Sequence, residues 1–115
     1  MVIVDTNVWI DFFKGKIEAK KLSEIIELGE ILIHPFVLTE LVFGGLKKEF
    51  QKKLEIMQVT EILSEEKKRL FIQKEKLCGR GLGLVDIHLL ASARIVPCQI
   101  WTFDSYLNKA AGLIL

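Results

Sequence analysis

Four carboxylates stand out in this chain because of the apolar runs around them. Asp5 closes the β-branched stretch Val2–Val4 in "MVIVDTNVW", and Asp104 follows an apolar stretch in "WTFDSYL". Glu40 lies inside "FVLTELVF", and Asp86 opens a helical pattern in "GLVDIHLLASA". Taken singly, Asp5, Asp86 and Asp104 read as helix caps, where a carboxylate accepts backbone N–H bonds and meets the positive end of the dipole. Glu40 resists that explanation, because an ionised carboxylate in an apolar helix is costly unless it faces water, a partner or a cation. Carboxylates brought to one rim repel one another and are tolerated when a divalent cation neutralises them. An all-oxygen donor set suits Mg²⁺ or Mn²⁺, and such an ion activates water and stabilises charge at a phosphodiester.

The elements that must position these acids are short. Strands are expected at Val2–Val4, Glu30–His34 and Ile100–Phe103, with Leu113–Leu115 as a candidate fourth. Helices are expected at Val8–Lys14, Glu18–Leu28, Phe36–Phe43 behind Pro35, Leu46–Ile56, from an N-cap at Ser64 to Leu77, and Val85–Ile95. Val59–Leu63 reads only as an extended connection. Leu70, Phe71 and Leu77 are the expected inward residues of the fifth helix, and Trp9, Phe12, Phe13, Phe36 and Phe43 are assigned to the core. Strands separated by helices require crossovers, hence a mainly parallel sheet covered by helices on its faces. Ligands bind beyond the carboxyl ends of such strands, which is where Asp5 and Asp104 stand.

At 115 residues, half of them apolar or aromatic, the chain is long enough for one domain, 1–115, with its own core. A formal charge of +1 neither favours nor excludes nucleic acid, because a local patch can hide in a balanced total. Cys78 and Cys98 lack CxxC spacing, so neither a zinc site nor a disulfide framework is indicated. With no signal core and no membrane-length apolar run, a cytoplasmic location and no membrane association are expected.

"VIVDTNVWIDF", "LTELVFG", "GLVDIHLLASA" and "WTFDSYL" occur in the order and spacing of a PIN-domain protein, and the chain resembles the VapC-type toxin ribonucleases over nearly its whole length. The resemblance implies a three-layer α/β/α sandwich with a mainly parallel sheet of four or five strands. It also implies a Mg²⁺-dependent endoribonuclease, with Mn²⁺ as a possible substitute, that leaves a 5′-phosphate and a 3′-hydroxyl. Carried over residue by residue, the metal-binding and catalytic set is Asp5, Glu40, Asp86 and Asp104, supported by Thr6, Asn7 and Thr102. The implied partners are RNA, a small VapB-like antitoxin that blocks the acidic pocket, and a second copy in a homodimer. The number of metal ions stays open, and so does the importance of Asp104, since this position often carries Asn or Asp.

Other signals are weaker. The glycines of "CGRGLGL" follow a charged helix and no strand, which argues against a dinucleotide fingerprint. Arg80, Lys76 and Arg94 are candidates for RNA phosphates, while His34 and His88 read as structural. A haloacid-dehalogenase-type phosphatase needs a second acid two residues after Asp5, where this chain has Asn7. An RNA-processing PIN nuclease outside a toxin–antitoxin pair, and a non-catalytic PIN-like binding module, remain the competing functions.

Overall fold

The computed structural model describes residues 1–115. Strand β1 (Val2–Val4) is central to a four-stranded sheet with β2 (Ile31–Ile33), β3 (Gln58–Val59) and β4 (Gln99–Trp101), in the order β3-β2-β1-β4 and with every pairing parallel. Seven helices flank it: α1 (Thr6–Phe13), α2 (Leu22–Glu27), α3 (Pro35–Phe43), α4 (Lys48–Glu55), α5 (Glu65–Lys74), α6 (Leu84–Ile95) and α7 (Ser105–Ile114). The result is a three-layer α/β/α sandwich. Ile3, Val4, Leu32 and Ile33 are buried, the pattern of strands covered on both faces, and pack with Val8, Trp9, Leu89, Leu90 and Leu107 from the helices. No helix is long and apolar enough to cross a membrane.

The strand order reverses at β1. The chain steps outward from β1 to β2 to β3, then returns to lay β4 against the other side of β1. The crevice beyond the carboxyl ends of β1 and β4 is therefore the place where such a sheet receives a ligand. The register pairs Val4 with Trp101, and the Asp5 N–H donates to the Trp101 carbonyl at 2.9 Å. Asp5 and Thr102 are consequently set side by side.

Several expectations need correction. The fourth strand is Gln58–Val59, extended by the Thr60 N–H bonding the Ile33 carbonyl at 2.9 Å, and not Leu113–Leu115. Leu113 and Ile114 instead complete α7, where helical i→i−4 bonding reaches Leu115 and overrides the strand preference of "LIL". The expected helix over Glu18–Leu28 divides into a 3₁₀ turn, Ile17–Ala19, and the shorter α2, with Ala19 and Leu22 buried in the two parts. In α5, Leu70 is 58% exposed while Lys68 is only 6% exposed. The inward stripe runs through Lys68, Phe71 and Ile72, at i, i+3 and i+4, and leaves Leu70 on the far side. Phe43 is 94% exposed because the buried face of α3 is set by Val37 and Leu41, from which Phe43 is turned away by two residues.

Candidate active site

Asp5 leaves β1 and caps α1. Its Oδ1 accepts the Thr6 N–H at 2.7 Å and its Oδ2 accepts the Thr102 hydroxyl at 2.7 Å. Proton positions in this network follow from the donors that cannot reverse. The Phe103 N–H donates to Asn7 Oδ1 at 3.2 Å, so the other end of that amide, Nδ2, donates to Thr102 Oγ1 at 3.3 Å. The Asp104 N–H also donates to Thr102 Oγ1, at 3.0 Å. With both lone pairs engaged, the hydroxyl has only its proton left, and that proton points at Asp5. A further bond, from Asn108 Nδ2 to the Thr102 carbonyl at 2.9 Å, ties the first turn of α7 into the same arrangement.

The remaining acids arrive on helices. Glu40 projects from α3 with its Oε1 accepting the Thr6 hydroxyl at 2.7 Å, so Thr6 links the first two acids through different atoms. Asp86, in the first turn of α6, accepts the Gly83 N–H through Oδ2 at 2.8 Å, half of a capping box. Asp104 is the N-cap of α7, and its Oδ1 accepts from both Tyr106 N–H (2.8 Å) and Leu107 N–H (3.2 Å). Thus Glu40, Asp86 and Asp104 each keep one carboxylate oxygen outside these protein hydrogen bonds, and each Asp5 oxygen keeps a second lone pair.

Asp5, Glu40 and Asp86 line one open cavity of about 410 Å³, together with Thr6, Asn7, Ile10 and residues Gly83 to Val85. Asp104 stands outside that lining. Burial pushes the Asp86 carboxyl above the usual range; the Gly83 N–H opposes the rise, and the charges of Asp5, Asp104 and Glu40 add to it. None of the four acids has a basic partner: the ion pairs are Lys16–Asp11, Lys68–Glu65 and Arg94–Glu75. The side chains surround the cavity without three of them already closing into a coordination cage. Hard oxygen donors, uncompensated charge and spare lone pairs fit a hydrated divalent ion, since Mg²⁺ keeps several of its waters.

Neither histidine reaches this cavity. His34 caps α3 by accepting the Phe36 N–H through Nδ1 at 3.0 Å, and His88 stacks edge-on against Phe36 with ring centroids 4.4 Å apart. Both are buried. Among the candidate basic residues, Arg94 is engaged by Glu75 at 3.0 Å. Arg80 is anchored by its Nε on the Lys76 carbonyl at 2.8 Å, so Lys76 contributes a backbone acceptor. Asn108 joins the site with no mark in the sequence beyond being an amide one helical turn past Asp104.

Crossover topology, a rim of unpaired acids at the switch point and the order of the motifs define one class of protein. The chain belongs to the PIN-domain family, whose model matches residues 2–113. Within that family it is 33% identical to Ribonuclease VapC32 of Mycobacterium tuberculosis, in sequences from two strains, across 97% of this chain and 91% of the relative. Its fold is similar to that of a chain from a toxin–antitoxin complex of Klebsiella pneumoniae, with a TM-score of 0.66 and 21% identity over 91% of this chain and 88% of the other.

Proposed function

We propose that this protein is a Mg²⁺-dependent endoribonuclease of VapC type, the toxin of a toxin–antitoxin pair. The observation that carries the reading is the set of unpaired carboxylates, Asp5, Glu40 and Asp86, around one open cavity at the sheet's switch point. Support comes from the relative named as a ribonuclease and from the neighbour solved as a toxin–antitoxin complex.

A bound Mg²⁺ supplies a water of lowered pKa and a counter-charge for the phosphate. Asp5, Glu40 and Asp86 would hold it, and Asp104, outside the cavity lining, would add its charge to theirs. Thr6 and Thr102 orient Asp5 through opposite oxygens, and Thr6 also fixes Glu40. No histidine, serine or cysteine lines the cavity, and the Thr6 hydroxyl is directed to Glu40. In the VapC-type reading the nucleophile is water: its oxygen bonds to phosphorus, the bond to the 3′ oxygen breaks, that oxygen takes up a proton, and a 5′-phosphate and a 3′-hydroxyl remain.

The same reading includes a homodimer and a small antitoxin. Ile10 and Leu84 are exposed apolar residues at the cavity, and Phe43 lies three residues beyond Glu40 on α3, also exposed. An apolar rim of this kind supports a protein partner that covers the acids.

The test is incubation of the purified protein with labelled total RNA in Mg²⁺, in Mn²⁺ and in chelator, beside Asp86→Asn. That variant removes a charge while its amide oxygen can still accept the Gly83 N–H. Discrete fragments that require metal and vanish in Asp86→Asn are expected. Cleavage that persists in chelator, or at the wild-type rate in the variant, would overturn the assignment.

A further inference from the structure

A second concavity, of about 500 Å³, adjoins the acidic cavity and differs from it in chemistry. It is lined by Gly79, Arg80, Gly81, Tyr106, Lys109 and Ala110 and holds no acidic side chain. The two hollows share their framework. Gly81 borders one and Gly83 the other, at most about 7 Å apart along the chain. Tyr106, in the groove, donates its N–H to Asp104.

The Tyr106 ring is held in an unusual way. Gly81 has φ +71°, and a Cβ built there would lie 2.9 Å from the ring's Cδ1. The glycine thus serves two purposes: it permits the left-handed turn and lets the ring lie directly on the backbone. One side of the aromatic system is fixed against Gly81, yet the residue remains 59% exposed. The cations are placed around it. Lys109 follows Tyr106 by three residues on α7, on the same helical face, and forms no ion pair. The Arg80 guanidinium is steadied through Nε by the Lys76 carbonyl, and Lys76 itself adopts φ +54°. The terminal nitrogens of Arg80 make no protein hydrogen bond.

A backed aromatic face that shares a groove with two cations free of ion pairs is how proteins hold single-stranded nucleic acid: bases stack on the ring and phosphates meet the charges. We propose that this groove is an RNA-binding subsite in which Tyr106 stacks a base flanking the scissile phosphate, while Lys109 and Arg80 bind the adjoining phosphates. The inference rests on the ribonuclease reading of the neighbouring acids. It adds where the strand enters and which residues grip it.

The experiment measures anisotropy of a short fluorescein-labelled oligouridylate in chelator, where metal-dependent cleavage is silent, alongside Mg²⁺-dependent cleavage of total RNA by the same preparations. Tyr106→Ala is expected to weaken binding by roughly 5- to 150-fold, the range for loss of one stacked base. Tyr106→Phe should bind like the wild type. Lys109→Gln should weaken binding and reduce the salt dependence by about one phosphate contact. Circular dichroism and melting establish that each variant is folded, and Tyr106→Phe and Lys109→Gln keep the test valid should Tyr106→Ala fail to fold. Equal affinity of folded Tyr106→Ala and wild type, with cleavage intact, overturns the subsite while leaving the nuclease standing. Absence of both binding and cleavage in the wild type overturns both.

Discussion

Thr102 shows how much of this site depends on a residue that bears no charge. Its hydroxyl is the meeting point of Asp5, Asn7 and the Asp104 backbone, and every one of its hydrogen-bonding capacities is used. Thr102→Val preserves the shape but leaves those partners facing a methyl group. A loss of about 1–3 kcal/mol is expected in denaturant unfolding, with a fall of roughly 10- to 100-fold in metal affinity or cleavage. Thr102→Ser should recover most of both. The same network makes Asp5→Asn more than a charge deletion. The Thr6 N–H and the Thr102 hydroxyl each require an acceptor, and an amide offers only one oxygen. Asp5→Asn is therefore expected to melt below Asp86→Asn as well as to lose cleavage. The acids themselves were legible in the sequence because a carboxylate after an apolar run demands an explanation. Asn108 and Tyr106 were not, because an exposed Asn or Tyr on a helix carries no such demand; only the fold shows what lies opposite.

At the scale of elements, α3 owes its start to His34. The imidazole accepts the Phe36 N–H through Nδ1, lies 5.4 Å from the His88 ring between centroids, and is buried. Burial first, and then the neighbouring His88, lower its pKa to about 4 from the ordinary 6.5. A group that binds protons more weakly when folded draws the unfolded state forward as acid is added. Stability from this source is complete above pH 6.5 and is lost as the pH falls towards 4, by an amount on the order of 3 kcal/mol. Protonation also turns Nδ1 from acceptor into donor and cancels the cap. Melting temperatures measured from pH 7 to pH 4 should decline across this window. His34→Asn, a side chain that can cap without titrating there, should be weaker at pH 7 yet show a flatter slope. The boundaries of β1, β2 and α3 could be read from β-branched runs, Pro35 and glycine stops. β3 could not: it has two exposed residues, and only the parallel ladder to β2 makes it a strand. Lys68 departs from the expected pattern of α5 for a related reason, since a cation whose Nζ finds Glu65 at 2.9 Å can occupy an inward position that periodicity reserves for leucine.

For the molecule as a whole, the unpaired acids are a standing repulsion that the folded state tolerates and a cation relieves. A ligand that binds only the native form raises stability by about 2.7 kcal/mol at a hundred times its Kd. Thermal melting should therefore shift upward by several degrees on titration with Mg²⁺ and return in chelator. Asp86→Asn should show little of this shift, and its melting temperature in chelator should equal or exceed that of the wild type, since one of the repelling charges is gone. An unchanged wild-type melting curve across millimolar Mg²⁺ would count against a metal at this site.

The order of the strands carries a consequence for biosynthesis. β1, the centre of the sheet, is made first, and β4, which completes its other edge, is made last. Asp5 and the hydroxyl that aims it are 97 residues apart in the chain. A ribosome-bound nascent chain holds Asp5 and Glu40 well before, and Asp86 shortly before, Thr102 and α7 are made and can dock. The acidic site is thus assembled only once β4 and α7 have been made, so a chain that ends before Gln99 carries three of its acids but has neither the strand nor the hydroxyl that sets the first of them in place.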